Sequence, residues 1–256
     1  MKRLDPAFLK QPLAHRALHD VTDARPENSR AAIKAAMAAG YGIEIDVQLS
    51  VDGAAMVFHD YDLKRLAKDS GPLAQRARAD LEQVVLRGSD EGIPTLREVL
   101  ELVAGQVPLL IEVKDQDGIM GANVGRLERA VAREIEDYQG PLAVMSFNPH
   151  SVQQMAIHAP QVVRGIVTSA YTDTDWPLLP KGTRERLRGI PDFDTVGACF
   201  ISHEVEDLGA ARVAKLKTKG ADILCWTVKS AAQESKAREV ADNITFEQYL
   251  AKLPTA

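Results

Sequence analysis

Four short strings carry the reactive side chains of this sequence: His15-Arg16, Glu44-Ile45-Asp46, His59-Asp60 and Glu112-Val113-Lys114. Imidazoles exchange protons near neutral pH, so His15 and His59 are candidates for a general acid and base pair. Glu44, Asp46 and Glu112 offer carboxylate oxygens with no cysteine among them. That donor set suits a hard divalent cation, Mg²⁺ or Ca²⁺. Arg16 presents a planar fork that matches two phosphate oxygens, and Lys114 a point charge. Taken together, the residues suit proton transfer at a phosphate group held against a cation.

These residues need a scaffold that brings distant strings to one place. Short apolar runs rich in β-branched residues alternate with longer helical patterns along the chain, which signals a parallel sheet with crossover helices. The first run ends at Leu13-Ala14-His15-Arg16, and further strands are expected at 42–49, 108–114, 142–148, 162–168, 198–203, 223–228 and 243–246. Helices are expected at 29–39, 95–104, 123–138, 149–158, 209–219 and 231–240, with 171–195 a long loop holding one short helix near Arg184. Thr95 to Glu98 reads as a capping box, with Gly40 and Gly105 as stops. Eight strands in 256 residues predict a single α/β domain over 1–256, a (β/α)₈ TIM barrel.

In such a barrel, catalytic groups sit at the C-terminal ends of the strands, where all four strings fall. On a strand of period two, Glu44 and Asp46 share one face, as do Glu112 and Lys114. Carboxylates in an otherwise apolar strand need a counter-charge, from a cation or from pairing of Glu112 with Lys114. Val47 to Asp60 breaks the alternation with a hairpin signal at Asp52-Gly53. A two-residue loop there puts Asp46 directly opposite His59, and residues of about 59–93 then form a small insertion over the barrel mouth.

Several further positions are weighed. Asn28, in Pro26-Glu27-Asn28-Ser29, either starts a helix or points into the mouth, where it contacts substrate or the groups that surround the ligands. Ser146 and Trp226 end strands and are candidate substrate-binding residues, with Asn148 beside Ser146 and His203 a weaker candidate of the same kind. His19, His150 and His158 read as surface residues.

The composition, 45% hydrophobic and 26% charged, is that of a soluble globular chain, and the net charge of −5 gives no reason to expect nucleic acid or an anionic membrane as partner. Residues 1–12 lack the apolar run of a secretory signal, so a cytoplasmic location and no stable membrane insertion are expected. Cys199 and Cys225 lie in apolar strand-like runs and read as reduced core residues.

The ordered strings His15-Arg16, Pro26-Glu27-Asn28, Glu44-x-Asp46, His59-Asp60 and Glu112-x-Lys114 resemble the glycerophosphodiester phosphodiesterase family, with weaker echoes at Ser146-Phe147-Asn148 and Trp226-Thr227-Val228. The resemblance implies a barrel of the phospholipase C-like phosphodiesterase type that hydrolyses glycerophosphodiesters to glycerol 3-phosphate and an alcohol. It implies His15 and His59 as catalytic residues, Glu44, Asp46 and Glu112 as metal ligands, and Arg16 and Lys114 as phosphate contacts. The implied partner is a small-molecule glycerophosphodiester, with a homodimer left open. Three departures stand out: Ala17 where the family has glycine, Ser29 where it has threonine, and a tail lacking its glycine-rich ending. A lysophospholipase D-like or other phosphodiesterase specificity is one alternative. A barrel that binds phosphodiesters without hydrolysing them is the other.

Overall fold

A computed structural model of the chain describes residues 3–254. In chain order its strands are β1 (Leu13–Ala14), β2 (Gly42–Leu49), β3 (Ala55–Val57), β4 (Leu109–Val113), β5 (Leu142–Ser146), β6 (Val163–Thr168), β7 (Phe200–Glu204), β8 (Asp222–Val228) and β9 (Asn243–Phe246). All but β3 are parallel, in the order β1-β9-β8-β7-β6-β5-β4-β2, and pairing of β1 with β2 closes the cylinder. The expected eight-stranded (β/α)₈ barrel is therefore present. Helices α1 (Ala7–Lys10), α2 (Arg30–Ala39), α3 (Arg78–Leu81), α4 (Leu96–Val103), α5 (Arg126–Glu134), α6 (Pro149–His158), α7 (Lys181–Arg188), α8 (Ala211–Thr218) and α9 (Ala231–Ala237) lie between the strands or cap the barrel. None among the described residues is long and apolar enough to cross a membrane.

Alternation along each strand divides the side chains between two cores. Ile43, Ile45 and Val47 of β2, with Leu109, Ile111 and Val113 of β4, pack against helix residues such as Ile33, Val99 and Val131. The opposite parity fills the inside of the cylinder with Leu13, Leu110, Met145, Val167, Phe200 and Leu224, closed off by Leu4 and Phe8. Glu44, Asp46, Glu112 and Lys114 have this inward parity but lie beyond the apolar fill. Cys199 and Cys225 are free and buried, as expected.

One edge of β2 is shared. β1 covers its start, pairing Leu13 with Gly42 and Ala14 with Ile43, while β3 covers its end, pairing Val47 with Val57 and Leu49 with Ala55. The hairpin register differs from expectation by one residue. Phe58 N donates to Asp46 O at 3.0 Å, so Phe58 rather than His59 lies opposite Asp46. The loop is the cause: it contains Val51, Asp52 and Gly53, with Gly53 at φ +85° and Ser50 Oγ accepting from Ala54 N at 2.8 Å. A one-residue slip normally sends a side chain to the other face. His59 still reaches the mouth because β3 has ended at Val57 and Phe58 turns into a separate small core of Met56, Leu63, Leu73, Leu81, Leu86 and Ile93.

Helix ends differ in places. α5 starts at Arg126 rather than 123 because Asp115 and Asp117 accept backbone hydrogens from Asp117, Gly118, Ile119, Met120, Gly121 and Asn123, holding that stretch as a loop. α4 ends at Ala104 in the left-handed region, one residue before the glycine expected to stop it. At its start, Thr95 Oγ1 accepts from Glu98 N at 3.2 Å and Glu98 Oε2 accepts from Thr95 N at 2.8 Å. Thr95→Ala is expected to lower stability by about 1 kcal/mol in urea unfolding, and an unchanged midpoint would contradict this capping role.

Candidate active site

The register sets Asp46 of β2 beside Glu112 of β4, with Glu44 one inward position below. Oxygens of Glu44, Asp46 and Glu112 lie within 4.8 Å of one another, and the three residues are only 1%, 1% and 8% exposed. Burial, reinforced by Asp46 and Glu112, pushes the Glu44 carboxyl well above its ordinary range. Burial also pushes Asp46 upward, but the positive charges of Lys114, His59 and Arg16 outweigh it and hold that carboxylate well below its ordinary range. Lys114 Nζ sits 2.8 Å from Glu112 Oε1 and 3.2 Å from Asp46 Oδ1, so the lysine pairing weighed from sequence is real and spans both acids. Among the described residues, Glu44 receives a hydrogen bond only from the Arg16 backbone N–H, at 2.9 Å. Three buried carboxylates against the Lys114 ammonium and an Arg16 guanidinium shared with Glu27 leave negative charge unbalanced, and an all-oxygen donor set fits Mg²⁺ or Ca²⁺.

The two histidines are held in the same manner. His15 Nδ1 lies 2.6 Å from Glu247 Oε2, and His59 Nδ1 lies 2.7 Å from Asp60 Oδ1. An ionised carboxylate can only accept, so Nδ1 carries hydrogen in each ring and Nε2 is left for the cleft. Burial, the largest influence on His15, lowers its pKa below the model-peptide value of 6.5. The Glu247 carboxyl is held far below its ordinary range, despite burial, by the hydrogen bond from His15 and by His19, whose Nε2 stands 3.7 Å away, with Lys229 Nζ at 3.0 Å.

Beyond β1 the chain turns sharply, with Arg16 at φ +51° and Ala17 at φ +64°. This left-handed backbone accounts for the glycine expected at position 17. Ala17 tolerates the same conformation at a cost of roughly 1–2 kcal/mol and donates its N–H to Glu44 O at 3.0 Å. The Arg16 fork reaches Glu27 Oε1 at 2.8 Å and comes within 3.6 Å of Asp46. Asn28 and Ser29 divide the roles weighed for them: Ser29 Oγ caps α2 through Ala32 N at 3.1 Å, whereas Asn28 donates to Asp46 Oδ2 at 3.0 Å and accepts from Asp46 N at 3.2 Å. Asn28 thus orients an acid of the cluster rather than facing the cleft.

His15, Arg16, Glu44, His59, Glu112, Lys114 and Trp226 border one cleft of about 590 Å³, and Asp46 lies just beneath it. Ser146 does not join them. It has the outward parity of Val144, and its hydroxyl donates to Val113 O at 2.6 Å. The structure thus corrects the expectation that Ser146 contacts substrate. His203 also faces the helix layer, 2.7 Å from Thr168 Oγ1, and Asn148 caps α6 through His150 N. Sequence reasoning missed Glu247, the role of Asp60, and an apolar wall of Met120, Phe147 and Trp176 beside Trp226. Phe147 stacks edge-on against Trp226 at 5.4 Å and tilted against Trp176 at 5.0 Å. Glu247 follows directly on β9, so the strand-end rule that located His15 also pointed to it. Trp176 lies in the aperiodic stretch where no such rule applied.

The model of the Glycerophosphoryl diester phosphodiesterase family matches residues 15–243. Among curated relatives, a glycerophosphodiester phosphodiesterase of Caldanaerobacter subterraneus is 30% identical over 60% of this chain, and the match spans 65% of that relative's length. Human glycerophosphodiester phosphodiesterase 1 is 26% identical over 87% of this chain and 73% of its own. An Oleispira antarctica phosphodiesterase solved with its product sn-glycerol-3-phosphate shares the fold, with a TM-score of 0.75 over 94% of each chain at 24% identity. Glu44→Gln, Asp46→Asn and Glu112→Gln are each expected to weaken Mg²⁺ or Ca²⁺ binding at least ~10-fold in calorimetric titration of the folded protein. Equal affinity in all three variants would remove the cation from this cluster.

Proposed function

We propose, from the premise that this chain belongs to the glycerophosphoryl diester phosphodiesterase family, that it hydrolyses glycerophosphodiesters to glycerol 3-phosphate and an alcohol, with His15 and His59 as its proton-transfer pair. The observation that carries this reading is the pair of imidazoles, each fixed through Nδ1 by its own carboxylate, beside a buried acidic cluster. A diester phosphate carries one negative charge and needs cations to enter such a site. Arg16 and Lys114 border the cleft and supply them. Glu44, Asp46 and Glu112 would hold a Mg²⁺ or Ca²⁺ ion, which would supply further positive charge to the site.

Burial favours the neutral form of His15, which suits it to act as general base. Its Nε2 takes the proton of the glycerol 2-hydroxyl as that oxygen attacks phosphorus. The bond from phosphorus to the alcohol oxygen breaks, and His59 delivers a proton to the departing alcohol. A five-membered cyclic phosphate results. Water then opens the ring with the proton transfers reversed: His59 accepts a proton from water and His15 returns one to the 2-oxygen. Glu247 and Asp60 keep both rings aimed and in one tautomer throughout.

The apolar wall of Met120, Phe147, Trp176 and Trp226 favours an alcohol with an apolar portion, which keeps a lysophospholipase D-like specificity as a second reading. Turnover of long-chain lysolipids against short glycerophosphodiesters separates the two. The non-hydrolytic alternative rested on Ala17, whose backbone nevertheless adopts the left-handed turn.

His15→Ala and His59→Ala are each expected to lower turnover at least ~10²-fold, and full activity in either variant rejects its assignment. Removal of divalent ions with a chelator should abolish turnover and Mg²⁺ or Ca²⁺ should restore it; chelator-resistant activity contradicts the metal. A base must be unprotonated, and burial lowers the pKa of His15, so the acidic limb of kcat/KM should fall with a midpoint below the 6.5 of an ordinary histidine. Glu247 raises that pKa, so Glu247→Gln should move the limb to still lower pH; a shift upward rejects His15 as the base.

A further inference from the structure

Arg65 lies outside the four reactive strings, in the insertion after β3, at the end of a single 3₁₀ turn, Leu63–Arg65. Leu63 is fully buried in the insertion's own core, and Asp62 caps the turn by accepting from Lys64 N at 2.8 Å. The turn therefore aims Arg65 in a fixed direction. Its guanidinium grips two carboxylates at once. Nε and Nη2 donate to Asp60 Oδ2 and Oδ1, each at 2.6 Å. Nη1 and Nη2 donate to Glu27 Oε2 and Oε1, each at 3.0 Å.

These acids are not equivalent. Asp60 Oδ1 holds His59 Nδ1 at 2.7 Å, and Glu27 Oε1 holds Arg16 Nη1 at 2.8 Å. One planar cation thus fixes the carboxylate behind a proton-transfer histidine and the carboxylate behind a phosphate-contacting arginine. Without it Asp60 and Glu27 would repel each other near the cleft, each steadied by a single partner. No other described side chain bonds to both.

We propose that Arg65 is a positioning residue that couples the aim of His59 to that of Arg16, an inference resting on the roles proposed for those two residues. It makes no contact with reacting atoms. The insertion after β3 is then a working part of the site, because its small core holds the guanidinium in place. A lysine cannot substitute, since a point charge lacks the fork that engages two carboxylates bidentately.

The test is steady-state kinetics of Arg65→Ala and Arg65→Lys beside wild type and His59→Ala, using the glycerophosphodiester that wild type hydrolyses fastest. Misaim of His59 should lower kcat, and misaim of Arg16 should raise KM. Each is expected to change several-fold, with a combined loss in kcat/KM of roughly 10–100-fold in both variants. Millimolar guanidinium ion should recover part of the Arg65→Ala loss and none of the His59→Ala loss. Arg65 is 49% exposed on its side chain, so thermal midpoints of both variants should stay near that of wild type. Unchanged kcat and KM, full activity of Arg65→Lys, or a loss that guanidinium leaves untouched would each overturn the coupling role. Failure of the underlying catalytic reading looks different, because His59→Ala would then match wild type.

Discussion

Negative charge gathered where water is scarce is the constraint that shapes this molecule. Glu44, Asp46 and Glu112 converge at the top of a cylinder whose lower interior is filled with leucine, methionine and phenylalanine. Carboxylates in such surroundings persist only with hydrogen bonds and counter-charges supplied from outside the cluster. Lys114, Arg16, the Asn28 amide and the Arg16 backbone N–H are those supplies, and each comes from a segment directed toward the cluster. The left-handed turns at Arg16, Ala17 and Asn28 make sense in this light, since they bring backbone and side-chain donors to the acids.

The same logic extends outward by one layer. His15 and His59 are each tied to an acid, and those acids are tied to cations in turn: Glu247 to Lys229, and Asp60 to Arg65. Donor and acceptor groups alternate from each histidine to the rim, so each ring is confined to one orientation. Such alternation suits a reaction in which a proton moves across a phosphate, because the groups need not reorganise as charge shifts.

Much of this was legible before any coordinates. Period-two alternation placed Glu44 with Asp46 and Glu112 with Lys114 on the inward face, because strand parity is a local property that apolar neighbours mark. Strand ends located His15, His59 and Trp226 at one mouth for the same reason. The hairpin register was not legible, since Val51-Asp52-Gly53 and Asp52-Gly53 are both plausible loops and the choice rests on a Ser50 hydroxyl bond. Ser146 was misjudged because nearness to a strand end was weighed above parity. Glu247 was overlooked although the strand-end rule reached it, whereas Arg65 was invisible for a different reason: no local pattern marks its ion pair with the remote Glu27.

The ring of strands is joined where β1 meets β9, and there His15 finds Glu247, 232 positions away along the chain. The imidazole that follows β1 thus takes its anchor from the residue that follows β9. Strands β2 to β8 all lie between these two in the sequence, so the contact is made only where the ring closes. Closure of the ring and the fixing of His15 thus go together, while Glu44, Asp46 and Glu112 are carried by the separate pair β2 and β4. Long-range closure of this kind is slow to form.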